Sequence, residues 1–419
     1  MAQRNSEPNK RRRRQRRYIP RRARILLGVV VALVLLGGLI GIAISRQWIT
    51  LPSWDDLFPQ QQEQTEPTAP QSDKVIHFVA GGDLNATDSV ISAGLTSGGY
   101  DYSDIFLDVT PILAGADLAA LNFEGNLAGE PYGSIHFSAP QVLMENLAAA
   151  GIDLVQTANS KAVENGLLGL QSTIDGIRAA GMQNLGTYHN SEDFRRSGGY
   201  LIREVGGIRI ALVAFTKGMD GRGLPAGSED CVNLLYTDYS STYQAVDTEG
   251  ITAILNAVSR EAPDITIAML HWGSELNNQI SKSQTKIVKL LSGLGVDAII
   301  GTHSHYVQGM GFDKDTGMFI AYSLGDFLGD GKNAGTDYSV LLDLEITKDG
   351  ATGKTAITAF DGIPIYRQQT DSGLRLLRIR EALAAYENRY IDAVTPETYE
   401  AMKAALAKIE SRIEVMTSG

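Results

Sequence analysis

DITIAMLHWGSELNNQISKSQTKIVKLLSGLGVDAIIGTHSH, residues 264–305, is the stretch that decides how this chain folds. It opens and closes with short apolar, β-branched runs, 264–273 and 296–305, and between them SQTKIVKLLSGLG (283–295) carries apolar residues at helical spacing. A strand, a helix and a strand in about forty residues is the unit of an α/β domain with largely buried strands. Each strand runs into histidine: His271 closes the first, and His303 and His305 close the second.

The same texture extends in both directions. VIHFVAGGD (75–83), ADLAALNFEG (116–125), GIDLVQTAN (151–159), IRIALVAFT (208–216) and GMFIAYSLGD (317–326) read as strands. Segments 140–151, 167–181 and 249–262 read as helices between them, and two further strands, 339–347 and 355–366, follow without a helix. The tail from Leu374 to Met416 is helical in pattern, with cap chemistry at Thr395 to Glu397. Asp83, Glu124, Asn159, His271, His303, His305 and Asp326 all fall at the C-terminal ends of predicted strands. Ligands of open α/β sheets gather beyond those ends, so one crevice can collect all seven.

Charge divides the chain. Residues 1–24 hold eleven of the 37 basic residues and one of the 48 acids, which leaves 26 basic against 47 acidic residues, a net −21, for the rest. Such an acidic body repels phosphate backbones, and no nucleic-acid partner is expected. Residues 25–44, ILLGVVVALVLLGGLIGIAI, carry no charge and as a helix span about 30 Å, enough to cross a membrane. Arginines crowd the N-terminal side, so 1–24 is expected in the cytoplasm, 25–46 as a single-pass transmembrane helix in the cell membrane, and everything beyond outside the cell. Pro- and Gln-rich residues 47–73 read as a linker, 74–366 as the folded domain and 367–419 as a C-terminal helical segment. Cys231 is the one cysteine, so no internal disulfide is available.

Neutral imidazoles are common ligands of divalent metals, and carboxylates add hard anionic oxygens. Asp83, Glu124, His271, His303 and His305 together suit Mn, Zn or Fe, as one ion or as two bridged by a carboxylate. Read as an extended segment, His303 and His305 point the same way. Any one of these residues alone is an ordinary turn or core polar group; five at strand ends outweigh that reading.

The series AGGDLNATD, LNFEGNL, FSAPQVLMENLAAAGIDLVQTANSKAVENGLLGLQSTIDGIRAAG, LHWGSE, GTHSHYVQGM and YSLGDF, in order over about 74–330, resembles the bacterial capsule-synthesis family, the CapA-type poly-gamma-glutamate capsule proteins. The resemblance implies a calcineurin-like metallophosphatase fold, a four-layer α/β/β/α sandwich. It also implies one N-terminal membrane span and a role in making or exporting an anionic cell-surface polymer, alongside membrane subunits of a synthesis or export complex. Residue by residue it implies metal ligation by Asp83, Glu124, His271, His303 and His305, and catalysis by His271 and Lys161. Asn122, Asn159, Glu275 and Asp326 would bind substrate. Departures from the family pattern are Ser160 and Lys161 in place of Asn and His, Asp326 for Asn, Ser304 for Pro, and Leu276 for Tyr. The implied activity is metal-dependent hydrolysis; the alternative is a non-catalytic binder or guide of an anionic polymer with a degenerate metal site.

Overall fold

A computed structural model describes residues 21–46, 72–370, 373–390 and 394–417. The basic segment up to residue 20 and linker residues 47–71 lie outside the described residues. The chain divides into two compact units, Met1–Ala69 and Pro70–Gly419. In the first, a helix spans Arg21–Ser45, and its stretch Ile25–Ser45, 21 residues, is long and apolar enough to cross a membrane.

The second unit contains β1 (Lys74–Asn85), β2 (Leu95–Thr96), β3 (Gly99–Tyr100), β4 (Leu118–Glu124), β5 (Leu154–Gln156), β6 (Gln183–Leu185), β7 (Leu201–Val205) and β8 (Ile208–Thr216). It continues with β9 (Ile265–His271), β10 (Ala298–Thr302), β11 (Met310–Phe312), β12 (Phe319–Ala321), β13 (Asp326–Leu328), β14 (Tyr338–Lys348), β15 (Thr355–Thr370) and β16 (Gly373–Arg378). One sheet has the order β16-β15-β14-β1-β4-β5-β6, with β13 also paired to β1; the other has β11-β12-β10-β9-β8-β7. Strands β1, β4, β5 and β6 run parallel, as do β8, β9, β10 and β12.

Alternation along the strands builds the layers, because successive side chains face opposite ways. Phe78, Ala80, Leu118 and Leu154 from one sheet meet Ile210, Leu212, Ile267, Met269 and Ile300 from the other in a single apolar core. The intervening Val79, Ala119, Leu121 and Val155 turn outward against Phe106, Leu143, Leu147 and Ile177 of helices Ser103–Phe106, Val142–Ala150 and Gly166–Ala179. On the far side Val213, Phe215, Leu270 and Ile299 pack on Ile251, Leu255, Ile287 and Leu291 of helices Thr248–Arg260 and Lys282–Gly293. The result is the expected α/β/β/α sandwich. Fully burying each large apolar side chain in these layers contributes about 1.5–3 kcal/mol.

The helix between β9 and β10 begins close to where its apolar spacing starts. Ser281 accepts from the Gln284 N–H while the Gln284 side chain accepts from the Ser281 N–H, a reciprocal cap that fixes the start of Lys282–Gly293.

Three expectations need correction. GMFIAYSLGD is not one strand: it divides into β12 and β13, so Asp326 opens a strand instead of closing one. The segment 367–419 is not helical throughout. Its first residues complete β15 and form β16, because Leu374 and Leu376 alternate into the apolar layer beside β15, and only then do helices Ile379–Glu387 and Pro396–Thr417 follow. Finally, His303 and His305 are not extended, with φ of +91° and +60°.

Candidate metal centre

Parity carries the core pattern directly into the site. In β9 the inward residues Ile267 and Met269 are followed at the same phase by His271; in β4 Leu118 and Ala120 are followed by Asn122 and Glu124; in β10 Ile300 is followed by Thr302. Polar residues therefore take over the inter-sheet face where the strands end. In β1 the inward residues Ile76, Phe78 and Ala80 are even-numbered, and Asp83 would face away. A bulge corrects the phase: Ala80 pairs with Ala120 but Asp83 with Asn122, three steps against two. The bulge passes through Gly81 and Gly82, and a Cβ at Gly82 would lie 1.8 Å from the Gly325 carbonyl oxygen, so only glycine fits there.

The five expected ligands meet. Glu124, His271 and His303 can present ligand atoms within 4.8 Å of one another, and so can Asp83, His305 and Asp326. The two groups adjoin: Asp83 Oδ1 lies 3.8 Å from His271 Nδ1, and His305 Nε2 lies 3.9 Å from Glu124 Oε2. His271 Nε2 lies 2.8 Å from Glu124 Oε1 and 2.9 Å from His303 Nδ1. His271 Nδ1 is 3.1 Å from the Thr302 hydroxyl, which orients the ring. Asp83 accepts from the Asn122 amide at 2.6 Å and from the His303 backbone N–H at 2.9 Å. Asp326, expected to bind substrate, instead sits beside Asp83 in β-register and contacts His305 Nδ1 at 2.7 Å, which makes it a member of the ligand-competent set. No signal within one strand could show this, because the proximity comes from the β1–β13 pairing.

Asn122 and Asn159 are also reassigned. Both are fully buried, and Asn159 donates to Asn122 Oδ1 at 3.0 Å and to the Phe123 carbonyl at 2.6 Å. Their amides hold Asp83 and the end of β4 in place. His271 is likewise fully buried, with both ring nitrogens engaged, a setting for a ligand and not for an acid or base that meets substrate. Ser160 donates to Glu124 Oε1 at 2.7 Å. Lys161 and exposed Glu275 line a cavity of about 230 Å³ together with Glu124, His305 and Asp326. The Lys161 ammonium contacts Asp220 Oδ2 at 2.5 Å and lies 4.1 Å above the Phe137 ring. Sequence reading missed Lys217, which follows β8; its ammonium donates to the Gly273 carbonyl at 3.0 Å and lines an adjoining cavity with His303.

Electrostatics follow from burial at close quarters. Burial first, then the neighbouring Glu124 charge, raises the Asp83 carboxyl to about 7. Burial raises Asp326 as well. For Glu124 burial acts upward, but the imidazoles of His271, His305 and His303 outweigh it and hold the carboxyl below its ordinary value. Burial, followed by His271 and Lys217, pushes His303 well below 6.5, so it is neutral. Burial opposes charge on His305, yet Asp326, Glu124 and Asp83 raise it to about 11.

The donor set fits a metal. His303 is 3% exposed and its Nε2 has no hydrogen-bond partner, in a cluster that otherwise pairs its polar atoms. Imidazole nitrogens and carboxylate oxygens converging in this number suit a borderline divalent ion. Backbone strain concentrates in the same place. Eight non-glycine residues among the described residues have positive φ, and six of them, Phe137, Asp220, Tyr243, Leu276, His303 and His305, line the two cavities. Each such conformation costs about 1–3 kcal/mol and persists where surrounding structure enforces it, characteristically at functional sites.

The family described as bacterial capsule synthesis protein PGA_cap matches residues 77–331, which contain every residue of this cluster. The chain belongs to that family. Relatives include the PGA biosynthesis protein CapA of Bacillus subtilis (strain 168), 26% identical over 61% of this chain and 64% of its own length. The capsule biosynthesis protein CapA of Bacillus anthracis is 27% identical over 65% of this chain and 67% of its own length. The match thus spans about two thirds of each relative. Among solved structures, a calcineurin-like phosphoesterase from Bacillus subtilis aligns with a TM-score of 0.42 at 14% identity, over 79% of this chain and 99% of its own. A phosphatase from Mycoplasma pneumoniae aligns at 0.42 and 15% identity, over 70% and 94%.

Proposed function

We propose that this capsule-synthesis family member is a membrane-anchored protein whose folded unit lies outside the cell and uses a divalent metal centre to hydrolyse a bond in an anionic cell-surface polymer of the poly-gamma-glutamate type or its precursor. The observation that carries the reading is that two adjoining groups of possible ligands, Glu124, His271 and His303 and then Asp83, His305 and Asp326, meet at the strand ends, with the buried His303 Nε2 left without a hydrogen-bond partner. These six residues would hold Mn, Zn or Fe, as one ion or two. A bound ion of this kind supplies Lewis-acid polarisation of the scissile group and of water. The chain's own residues do the rest. Asn122 and Thr302 fix the Asp83 carboxylate and the His271 ring. Lys161 and Glu275 line the same cavity as Glu124, His305 and Asp326. Burial disfavours charge on Lys161, but its bond to Asp220 and the charges of Asp220, Glu124 and Glu164 outweigh that and raise its pKa. It therefore stays cationic, suited to receive an anionic group and not to donate a proton.

A second reading, a binder or guide without turnover, is favoured by one observation: Ser160 and Lys161 spend their polar heads on Glu124 and Asp220. Metal analysis of the full chain, purified after growth in metal-replete medium, tests the centre. At least one tightly held divalent ion per chain is expected, with His303→Ala losing most of it; an empty wild-type protein ends the hydrolase reading. A phosphodiester and a γ-glutamyl amide assay with added Mn then separates the two readings, because turnover that vanishes in His303→Ala is expected only of the hydrolase.

A further inference from the structure

Beside the metal cavity runs a larger groove of about 420 Å³, and Leu276 lines both. Its walls come from Asn277, Asn278, Tyr306, Tyr338 and the C-terminal helix Pro396–Thr417, which contributes Lys408 and Arg412. No carboxylate lines it. That is unexpected in a chain whose residues beyond 24 hold 26 basic against 47 acidic side chains. Among the described residues neither cation has a carboxylate within ion-pair distance. Lys408 lies 5.7 Å over the Tyr338 ring, and Glu410, the acid between them on the helix, turns to Arg380 at 2.9 Å.

The groove is joined to the metal centre by backbone. Leu276 N–H donates to the Ser304 carbonyl at 3.0 Å, between the two site histidines, and Tyr306 follows His305 directly. Beyond the metal cavity, Glu275 lines both it and the adjoining cavity that holds Lys217. Cations thus line three adjoining cavities: Lys217, then Lys161, which is paired with Asp220, then Lys408 with Arg412, which among the described residues have no carboxylate beside them. A small monoester would use one cavity; spaced anionic groups along a chain would use all three.

We infer that the Lys408/Arg412 groove is a binding subsite for an extended polyanion, which lies across the metal centre with its repeating anionic oxygens on these cations. The inference rests on the proposed reading of the centre and deepens it by assigning the groove beside the centre as the place that holds the polymer's length. Carboxylate and phosphoryl polymers share the chemistry that these cations and the amide and phenol donors recognise. The C-terminal helix gains a function as one wall of the groove.

The test uses the full chain in detergent. Fluorescent γ-linked glutamate decamer, γ-linked glutamate dimer and a ten-unit polyphosphate are titrated by anisotropy against wild type and Lys408→Glu/Arg412→Glu, with metal content and thermal unfolding recorded alongside. Wild type is expected to bind at least one decamer more tightly than the dimer, the tighter decamer naming the polymer's chemistry. Reversing both charges weakens that decamer by roughly tenfold or more, since exposed charge contacts are worth up to about 1 kcal/mol each. Dimer binding, metal content and unfolding temperature stay unchanged. Equal decamer affinity in the two folded proteins overturns the inference, as does wild type failing to bind either decamer while holding its metal. Loss of metal from wild type tells instead against the centre, and the length dependence still reports on the groove. Lys408→Gln/Arg412→Gln supplies a milder pair, expected to give an intermediate loss, should the reversal unfold the helix.

Discussion

Asp83 and His305 put protons where a metal would need lone pairs. Burial and Glu124 raise Asp83 to about 7, while Asp326, Glu124 and Asp83, acting against burial, raise His305 to about 11. In the metal-free chain each must shed its proton before it can ligate, so protons compete with the ion across the neutral range. Apparent affinity for a divalent metal should therefore rise with pH, by about tenfold per unit for each proton displaced. Titration with Mn at pH 6 and pH 8 checks this: Kd at pH 6 is expected to be at least tenfold weaker, and equal values would contradict proton displacement from Asp83 and His305. At this scale the sequence identified residue types well but roles unevenly. Asp326, Asn122 and Asn159 are all expected to bind substrate on the family resemblance alone. All three are buried, and their partners separate them. The two asparagines are sealed inside as positioning groups, and Asp326 joins the ligand set only because β13 pairs with β1.

At the scale of the element, the bulge in β1 determines whether Asp83 faces the cluster. A strand with period two carries its even-numbered core phase into Gly82, and the extra residue hands the inward position to Asp83. Gly82→Ala would drive a methyl into the Gly325 carbonyl, which also accepts the Asp83 N–H at 3.0 Å. The expected loss is about 3 kcal/mol of stability, with metal content reduced, measured by denaturant unfolding and metal analysis. A neutral substitution would show that the bulge relaxes freely. Strand and helix boundaries in the βαβ stretch 264–305 were legible from apolar periodicity, and the Ser281/Gln284 cap seen in the structure falls close to the start that this periodicity gives. β16 was not legible: GLRLLR continues smoothly into IREALAAYE, and only pairing with β15 makes its first six residues extended.

For the whole molecule, the proposed function reads the apolar helix as an anchor for the acidic folded unit. If the arginine-rich end stays inside, protease added to intact cells should cut between residues 47 and 73 and release the folded unit in one piece. Full protection of the chain, with cleavage appearing only after lysis, would reverse the proposed orientation. The amino-acid sequence alone determined the alternation of strand and helix, the apolar segment 25–44, and the arrival of His271, Glu124 and His303 at strand ends. Those are properties of local spacing, and local spacing survives in any fold that buries the same faces. Which strands became neighbours was decided only by tertiary structure: it placed Asp326 beside Asp83, forced two histidines into left-handed backbone, and set Lys408 and Arg412 against a groove more than a hundred residues from Leu276 in sequence. Such contacts depend on non-local register and on the packing of two sheets, and no periodicity within one segment encodes them.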